Sequence, residues 1–331
     1  MNRETSRGGA HAPVKVGVLG AARIAPAALI SPAHERPDVE VVALAARDPA
    51  RARAFADALS VPHVASDYAE LIAREDVELV YVALHAGAHA EWSIRALEAG
   101  KAVLCEKPFA LNAAQATEMV EASRASDRPL LEAFHYRFHS ILKSAFQIVS
   151  EGGLGRLASA EATFNAPIPF RPDEIRWRRE LGGGALMDLG CYCLHALRTL
   201  CGEPHVIAAH CQVERGVDAE TTAVLGFESG LQASLACAMN VERPTARLIL
   251  EGERGRLEIV NFVAPQLGCR FTLDLGKGPV TQPTDGPTSY AAQLDHVIAV
   301  LRGGAAPITG GEDAIANMMA IEAIYAHAGV C

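Results

Sequence analysis

The chain has 331 residues, 50% of them hydrophobic, enough for two domains with cores of ordinary size. Thirty Lys and Arg stand against 39 Asp and Glu, a formal charge of −9, which removes any electrostatic reason to expect a nucleic acid or an anionic membrane surface as partner. The eight cysteines (105, 191, 193, 201, 211, 237, 269 and 331) include no CxxC pair and no interleaved histidines at zinc spacing, so neither a metal site nor a disulfide framework is indicated, and reduced thiols in a cytoplasm are expected.

Residues 1–13 carry charge without the apolar stretch of an export signal, and no run approaches about 18 apolar residues; a frayed tail and no membrane crossing are expected. Val14–Leu19 reads as a short strand, followed by a small-residue turn, Gly20-Ala-Ala-Arg-Ile-Ala25, and a helical stretch to about Ser31. Such a turn, leaving a strand and opening a helix, offers free backbone N–H groups and the positive end of a helix dipole to a pyrophosphate. Gly20, Ala22, Arg23 and Ile24 are therefore candidate cofactor contacts. The pattern departs from G-x-G-x-x-G at its second and third positions, where small residues serve packing equally well. Val39–Ala45 is the second strand. Where an enzyme that binds the two ribose hydroxyls of NAD places an acid, this chain has Ala45-Ala46 and then Arg47, whose guanidinium suits the adenosine phosphate of NADP. NADP is the expected cofactor, NAD the alternative.

The alternation continues. A helix over Pro49–Leu59 starts behind Asp48 as N-cap, and helix Tyr68–Arg74, strand Leu79–Leu84, helix Ala88–Ala99, strand Ala102–Cys105, helix Asn112–Ser126 and strand Leu130–Ala133 follow. Strand–helix repetition with continuously apolar strands means a parallel sheet covered on both faces. Glu106-Lys107-Pro108 closes the fourth of these strands, Ala102–Cys105, and sets one ammonium at the carboxyl edge of the sheet, where such sheets hold ligands. Lys107 is thus the leading catalytic candidate.

Past residue 134 the pattern changes to longer alternating segments, Leu157–Asn165, His205–Glu214, Thr221–Phe227, Gln232–Met239, Arg247–Glu251 and Arg256–Ile259, which read as a mostly antiparallel sheet. Gly182-Gly183-Gly184 precedes a helix, Ala185–Leu200, and helices Tyr290–Arg302 and Asp313–Ala328 close the chain. The fold expected is α/β: a tail (1–13), an N-terminal Rossmann domain with a doubly wound parallel sheet (14–133), and a C-terminal α+β domain with a large open sheet (134–331).

These residues resemble the glucose–fructose oxidoreductase/inositol dehydrogenase group, the Gfo/Idh/MocA family, over nearly the whole chain. The resemblance rests on the Gly20 turn, on His89-Ala-Glu-Trp92 with Ala96-Leu-Glu-Ala-Gly-Lys101, on Glu106-Lys107-Pro108, and on Gly182-Gly-Gly-Ala-Leu-Met-Asp188-Leu-Gly190-Cys-Tyr192. It implies a second domain that lays its open sheet over the nicotinamide, binds substrate, and mediates assembly into a homodimer or homotetramer. It also implies that Lys107 contacts both the substrate hydroxyl and the nicotinamide region, that Glu106 is its cofactor-side neighbour, and that Asp188 is the acid of the second-domain helix. Tyr at 192, where inositol-dehydrogenase-like members carry His, resembles the branch of glucose–fructose oxidoreductase, pentose dehydrogenases and dihydrodiol dehydrogenases. Leu84-His85-Ala86 replaces the family's Thr-Pro-Asn before His89; Leu84, His85 and His89 are expected at the cofactor, with His85 a substitute for the missing amide donor. His195 is expected to pack the helix and to take no part in catalysis.

Oxidising a secondary carbinol requires a base within hydrogen-bond reach of its hydroxyl. Asp188 and Tyr192, at i and i+4, share a helix face, so Tyr192 can pass the proton while Lys107 holds the oxygen and Asp188 holds Lys107 or substrate. Lys and Tyr both titrate near about 10, so base catalysis at neutral pH requires a downward shift of roughly 3 units. His135 and Arg137, directly past the strand Leu130–Ala133, are expected to reach a polyol substrate, and Trp177 with Arg178 either walls a sugar site or anchors a loop. The expectation is an NADP-dependent oxidoreductase acting on a sugar, polyol or trans-diol. Its alternatives are a glycosidase-like enzyme with no net redox change and a non-catalytic nucleotide sensor.

Overall fold

The computed structural model describes residues 12–330, so all of the expected tail but Ala12 and Pro13 lies outside the described residues. Six strands, β1 (Val14–Leu19), β2 (Val39–Ala45), β3 (His63–Val64), β4 (Leu79–Val82), β5 (Ala102–Cys105) and β6 (Leu130–Glu132), form an all-parallel sheet in the order β3-β2-β1-β4-β5-β6. This is the doubly wound order, and the crevice where it reverses lies at the carboxyl ends of β1 and β4. The crossing helices are α1 (Ser31–His34), entered through a π-helical turn at Pro26–Ile30, then α2 (Pro49–Ala58), α3 (Tyr68–Ala73), α4 (Ala86–Glu98) and α5 (Ala113–Ser126). Three of them start where a side chain satisfies the first amides. Asp48 accepts from Ala50 and Arg51, Asp67 from Glu70, and Asn112 from Gln115, at 2.8–3.1 Å.

After α6 (Ser140–Ser150) the chain enters a second sheet: β7 (Leu157–Asn165), β8 (Pro204–Glu214), β9 (Val217–Phe227), β10 (Gln232–Ala238), β11 (Thr245–Gly252), β12 (Gly255–Val260), β13 (Arg270–Asp274) and β14 (Val280–Gln282). Its order is β14-β13-β12-β11-β7-β10-β9-β8, antiparallel throughout except for the parallel pair β7–β10. One face carries α7 (Cys191–Cys201), whose Leu194 and Leu197 share a core with Ala162, Leu225, Leu235, Leu248 and Ile259. The expected α/β class, with one parallel and one mostly antiparallel sheet, is the fold observed.

Several elements differ from expectation. Helix α6, the edge strands β3 and β14 and the strand β13 beside β14 were not anticipated, and the single helix expected over Ala185–Leu200 is a π-helical turn, Leu186–Gly190, running into α7. A division at residue 133 separates the sheets but not the cores. Helix α8 (Ser289–Leu301) returns to the first lobe, burying Leu294, Val297 and Ile298 with Val16, Leu29 and Tyr81, whereas α9 (Glu312–His327) packs against α5, α7 and β8. No helix among the described residues is long and apolar enough to cross a membrane.

At the end of β6, Glu132 is 1% exposed and neither carboxyl oxygen has a hydrogen-bond partner among the described residues. Burial, reinforced by Asp313, pushes its pKa well above the ordinary glutamate value. The folded state then keeps a proton that the unfolded chain releases, so the pH-dependent part of the carboxyl's cost is absent at acid pH and grows as pH rises past the unfolded value. Glu132→Gln removes that dependence. The stability of the variant relative to the parent, by denaturant melts from pH 5 to pH 8, is expected to improve by up to about 1.4 kcal/mol per pH unit; a difference that does not change with pH would refute the buried carboxyl.

Candidate active site

Three loops meet at the carboxyl edge of the parallel sheet. The turn after β1 starts at Gly20, whose φ of +104° suits glycine and whose Cβ, if present, would collide with the Ala83 carbonyl oxygen. Its own amide donates to Ala45 at 2.8 Å, whereas the amides of Ala22, Arg23 and Ile24 donate to no acceptor among the described residues. That row of open donors, ahead of the helical stretch beginning at Pro26, is the physical requirement for a phosphate cradle. Arg47 is exposed just past β2, and Arg51, from the first turn of α2, donates to the Ala21 carbonyl at 2.7 Å and braces the turn. Arg23 itself reaches toward the second lobe, 3.5 Å from Glu174, with a largely exposed side chain.

The loop after β4 brings Leu84 and His85. His85 Nδ1 is buried without a partner among the described residues, and burial with the Arg47 and Arg178 charges lowers the pKa of the ring. The closed Nδ1 cannot reach a ligand, so any cofactor contact of this neutral imidazole has to use Nε2. His89 is a different matter: it is buried, Nδ1 lies 2.9 Å from the Pro108 carbonyl and Nε2 3.1 Å from the Leu84 carbonyl, and burial lowers its pKa to about 4. The neutral ring has one N–H and so donates to only one of these carbonyls, but both nitrogens face backbone, which places His89 as a brace between the Leu84 and Lys107 loops.

The loop after β5 carries Glu106 and Lys107. Glu106 accepts the Tyr81 hydroxyl at 2.5 Å, and burial raises the pKa of both groups. Lys107 Nζ donates to the Asp188 carbonyl and to its Oδ1, both at 2.8 Å, while Arg176 Nε donates to Asp188 Oδ2 at 2.6 Å. Burial disfavours the Lys107 ammonium, but Asp188 more than offsets it and the pKa rises above the ordinary lysine value. The same two cations outweigh burial at Asp188 and hold its carboxyl down to about 2. Lys107 Nζ also sits 5.1 Å from the centre of the Tyr192 ring, whose hydroxyl is pushed well above the usual phenol range by burial and by Glu106. The downward shift that base catalysis needs is absent from this state: both groups hold their protons.

Asp188 is placed by the π-helical turn. Gly184, at φ +129°, has no room for a Cβ beside the Asp218 carboxylate, which accepts from the Leu186 amide and the Thr221 hydroxyl at 2.7 Å and from the Tyr325 hydroxyl at 2.8 Å. A π turn at such a site is where an α-helix is re-aimed locally.

The remaining candidates divide. His135 is buried 6.1 Å, ring to ring, from Tyr192. Arg137 turns away, stacking 5.1 Å over Phe146 beside Leu142 and Thr199, and does not join the Lys107 group. Trp177 is buried and its indole donates to the Ile168 carbonyl at 2.8 Å, the arrangement of a loop anchor, and half-exposed Arg178 pairs with Glu180. His195, between the Tyr136 hydroxyl at 2.6 Å and Asp313 at 3.0 Å, packs on Phe134 as expected of a helix residue. Sequence reasoning did not single out Arg176, Glu174, Tyr81 or Ser289. Arg176 differs in nothing from its arginine neighbours until the chain is folded.

Residues 14–134 match the family described as GFO/IDH/MocA, oxidoreductase family with an NAD-binding Rossmann fold, and residues 142–258 match the GFO/IDH/MocA C-terminal domain. D-xylose 1-dehydrogenase (NADP(+)) 2 of Haloferax volcanii is 32% identical over 94% of this chain and 96% of its own length. Trans-1,2-dihydrobenzene-1,2-diol dehydrogenase of Mus musculus is 34% identical over 68% of each chain. Among solved structures, the aldose-aldose oxidoreductase of Caulobacter crescentus complexed with glycerol superposes with a TM-score of 0.88 at 28% identity, covering 96% of this chain and 98% of that one. A 3-ketoreductase from Actinomadura kijaniata in complex with NADP and TDP-benzene gives a TM-score of 0.88 at 28% identity, covering 95% and 98%.

Asp188→Asn removes the anion shared by Lys107 and Arg176 and leaves burial as the dominant influence on Lys107. Its pKa, followed by NMR of the Lys107 side chain, is expected to fall below that of an ordinary lysine; a value still above it would show that the ion pair is not what holds the ammonium.

Proposed function

The chain belongs to the GFO/IDH/MocA oxidoreductase family, and from that membership we propose that it is an NADP-dependent enzyme that interconverts a secondary carbinol and its carbonyl on a sugar, polyol or trans-diol. It is an NAD(P)-dependent dehydrogenase or reductase acting on CH–OH groups, of the kind that handles sugar-like molecules. The relatives that are named for NADP or hold it support NADP as its cofactor, as does Arg47 where an NAD-binding chain would carry an acid. Ala22, Arg23 and Ile24 offer amides to the pyrophosphate, Arg47 offers its guanidinium to the adenosine phosphate, and His85 and Glu106 line the approach to the nicotinamide. When bound, NADP supplies or accepts hydride. Every proton movement falls to the protein.

The observation that carries this reading is the Lys107 ammonium, fixed by Asp188 at the sheet edge and 5.1 Å from the Tyr192 ring centre. In carbonyl reduction, negative charge grows on the substrate oxygen. Lys107 stabilises that charge without needing to titrate, and the Tyr192 hydroxyl delivers the proton. Both groups are held in their protonated forms, which is the state a reductase requires at the start of its cycle. Oxidation runs the same path backward and needs Tyr192 to lose its proton, which favours higher pH. The outward face of the second sheet, with exposed Ile207, Val213 and Val224, supports self-association as a homodimer or homotetramer.

Two measurements test the reading. Lys107→Met and Tyr192→Phe are each expected to lower kcat roughly 10²–10³-fold on the best substrate of a panel of aldoses, inositols and trans-diols, followed by absorbance of reduced nicotinamide. Turnover within threefold of the parent ends the assignment, and substrate consumption with no net NADPH change would move the protein to the glycosidase-like alternative. Arg47→Ala is expected to weaken NADPH binding by roughly 10–150-fold in fluorescence titration while leaving NADH unchanged; equal effects on both nucleotides would remove Arg47 from the phosphate site.

A further inference from the structure

Resting on the oxidoreductase reading above, we infer that His135 selects substrates by accepting, at Nε2, a hydrogen bond from a hydroxyl on the carbon next to the reacting one, and that Ser289 and Gln266 are positioning residues that fix the ring tautomer for this task. The preferred substrates are then α-hydroxy carbonyl compounds and the corresponding vicinal diols.

The argument is one of proton accounting. Gln266 Oε1 carries no hydrogen and lies 2.7 Å from Ser289 Oγ, so the serine hydroxyl donates to it. Ser289 is fully buried, and its single proton is thereby committed. His135 Nδ1, 2.7 Å from the same Oγ, can only be the donor of that second bond. The ring does not carry both protons, because burial and the Lys107 charge lower its pKa to about 3. The proton on Nδ1 therefore leaves Nε2 as a bare acceptor. Nε2 bonds to no group among the described residues and, unlike His85 Nδ1, keeps some accessible surface, on a ring close enough to Lys107 for that charge to act on it. Tyr290, 4.1 Å away ring to ring, and Tyr192, at 6.1 Å, hold the imidazole in place.

Toward a substrate, the neighbouring polar groups are donors: the Lys107 ammonium and the Tyr192 hydroxyl. They match a carbonyl oxygen. A hydroxyl on the adjacent carbon brings a proton that needs an acceptor, and the His135 ring, 6.1 Å ring to ring from Tyr192, carries a free one at Nε2. A substrate without that hydroxyl leaves the nitrogen desolvated and unpaired, the situation in which polar sites discriminate most strongly.

The test uses NADPH-loaded protein and a matched pair of ketones, 2-hydroxycyclohexanone and cyclohexanone. The parent is expected to prefer the hydroxy ketone by roughly 10–100-fold in kcat/KM. His135→Phe brings that ratio close to one, His135→Gln, which restores an acceptor, recovers part of it, and Ser289→Ala lowers it with His135 still present. A parent that does not discriminate, or variants that keep the full ratio, overturn the inference. A second arm does not depend on turnover. Imidazole ¹⁵N spectra of the NADP-loaded protein are expected to show His135 protonated at Nδ1 only, with Nε2 moving upfield on addition of trans-1,2-cyclohexanediol and not of cyclohexanol; protonation at Nε2, or an unmoved Nε2 signal, refutes it. If no ketone or polyol is turned over, the oxidoreductase reading fails by itself, and the spectra still decide the tautomer.

Discussion

The carboxylate of Asp188 is the point on which the two lobes agree. It belongs to the second lobe, yet its strongest partner, Lys107, is delivered by the first, two residues past β5. A charge taken out of water is tolerated only with excellent pairing, and Asp188 has it on both oxygens, from Lys107 and from Arg176. Arg176 is in turn held by the buried carboxylate of Glu174, so the Lys107 ammonium is the end of a chain of charges locked in place behind it. Removing one member of such a buried set commonly costs about 3–5 kcal/mol. The lobes are thereby joined by the same contact that keeps the Lys107 ammonium charged.

Electrostatics also decide what kind of proton chemistry the site favours. Two groups with ordinary values near about 10 are often expected to be tuned downward to act as bases. Here the sequence argument and the structure part company: one group is buried against an anion and the other among aromatic rings, and both move up. A site built this way keeps both groups protonated.

Much of this was legible before folding. The β/α alternation, the Gly20 turn, Arg47 in place of an acid, and the Glu106-Lys107-Pro108 loop are local signals, since a parallel sheet buried on both faces must be written in continuous apolar strands. What was missed is non-local or weakly signalled. Helix α6 has its apolar positions at 141, 142 and 145 but starts behind His139, which is not among the usual capping residues. Strands β13 and β14 are short and lie in a Gly- and Pro-rich stretch. His89 has the composition of a site residue and the geometry of a brace, a difference set by two backbone carbonyls that no local pattern reveals. The π turn at Leu186–Gly190 was hidden inside a correctly expected helix.

Helix α8 carries a last consequence. Because Leu294, Val297 and Ile298 complete the core beneath β1 and β4, the nucleotide-binding lobe is not a contiguous stretch of polypeptide. A fragment ending near residue 133 would bare an oily groove where that helix belongs, so the half of the protein that looks most autonomous in the sequence depends on the chain's final fifth to be finished.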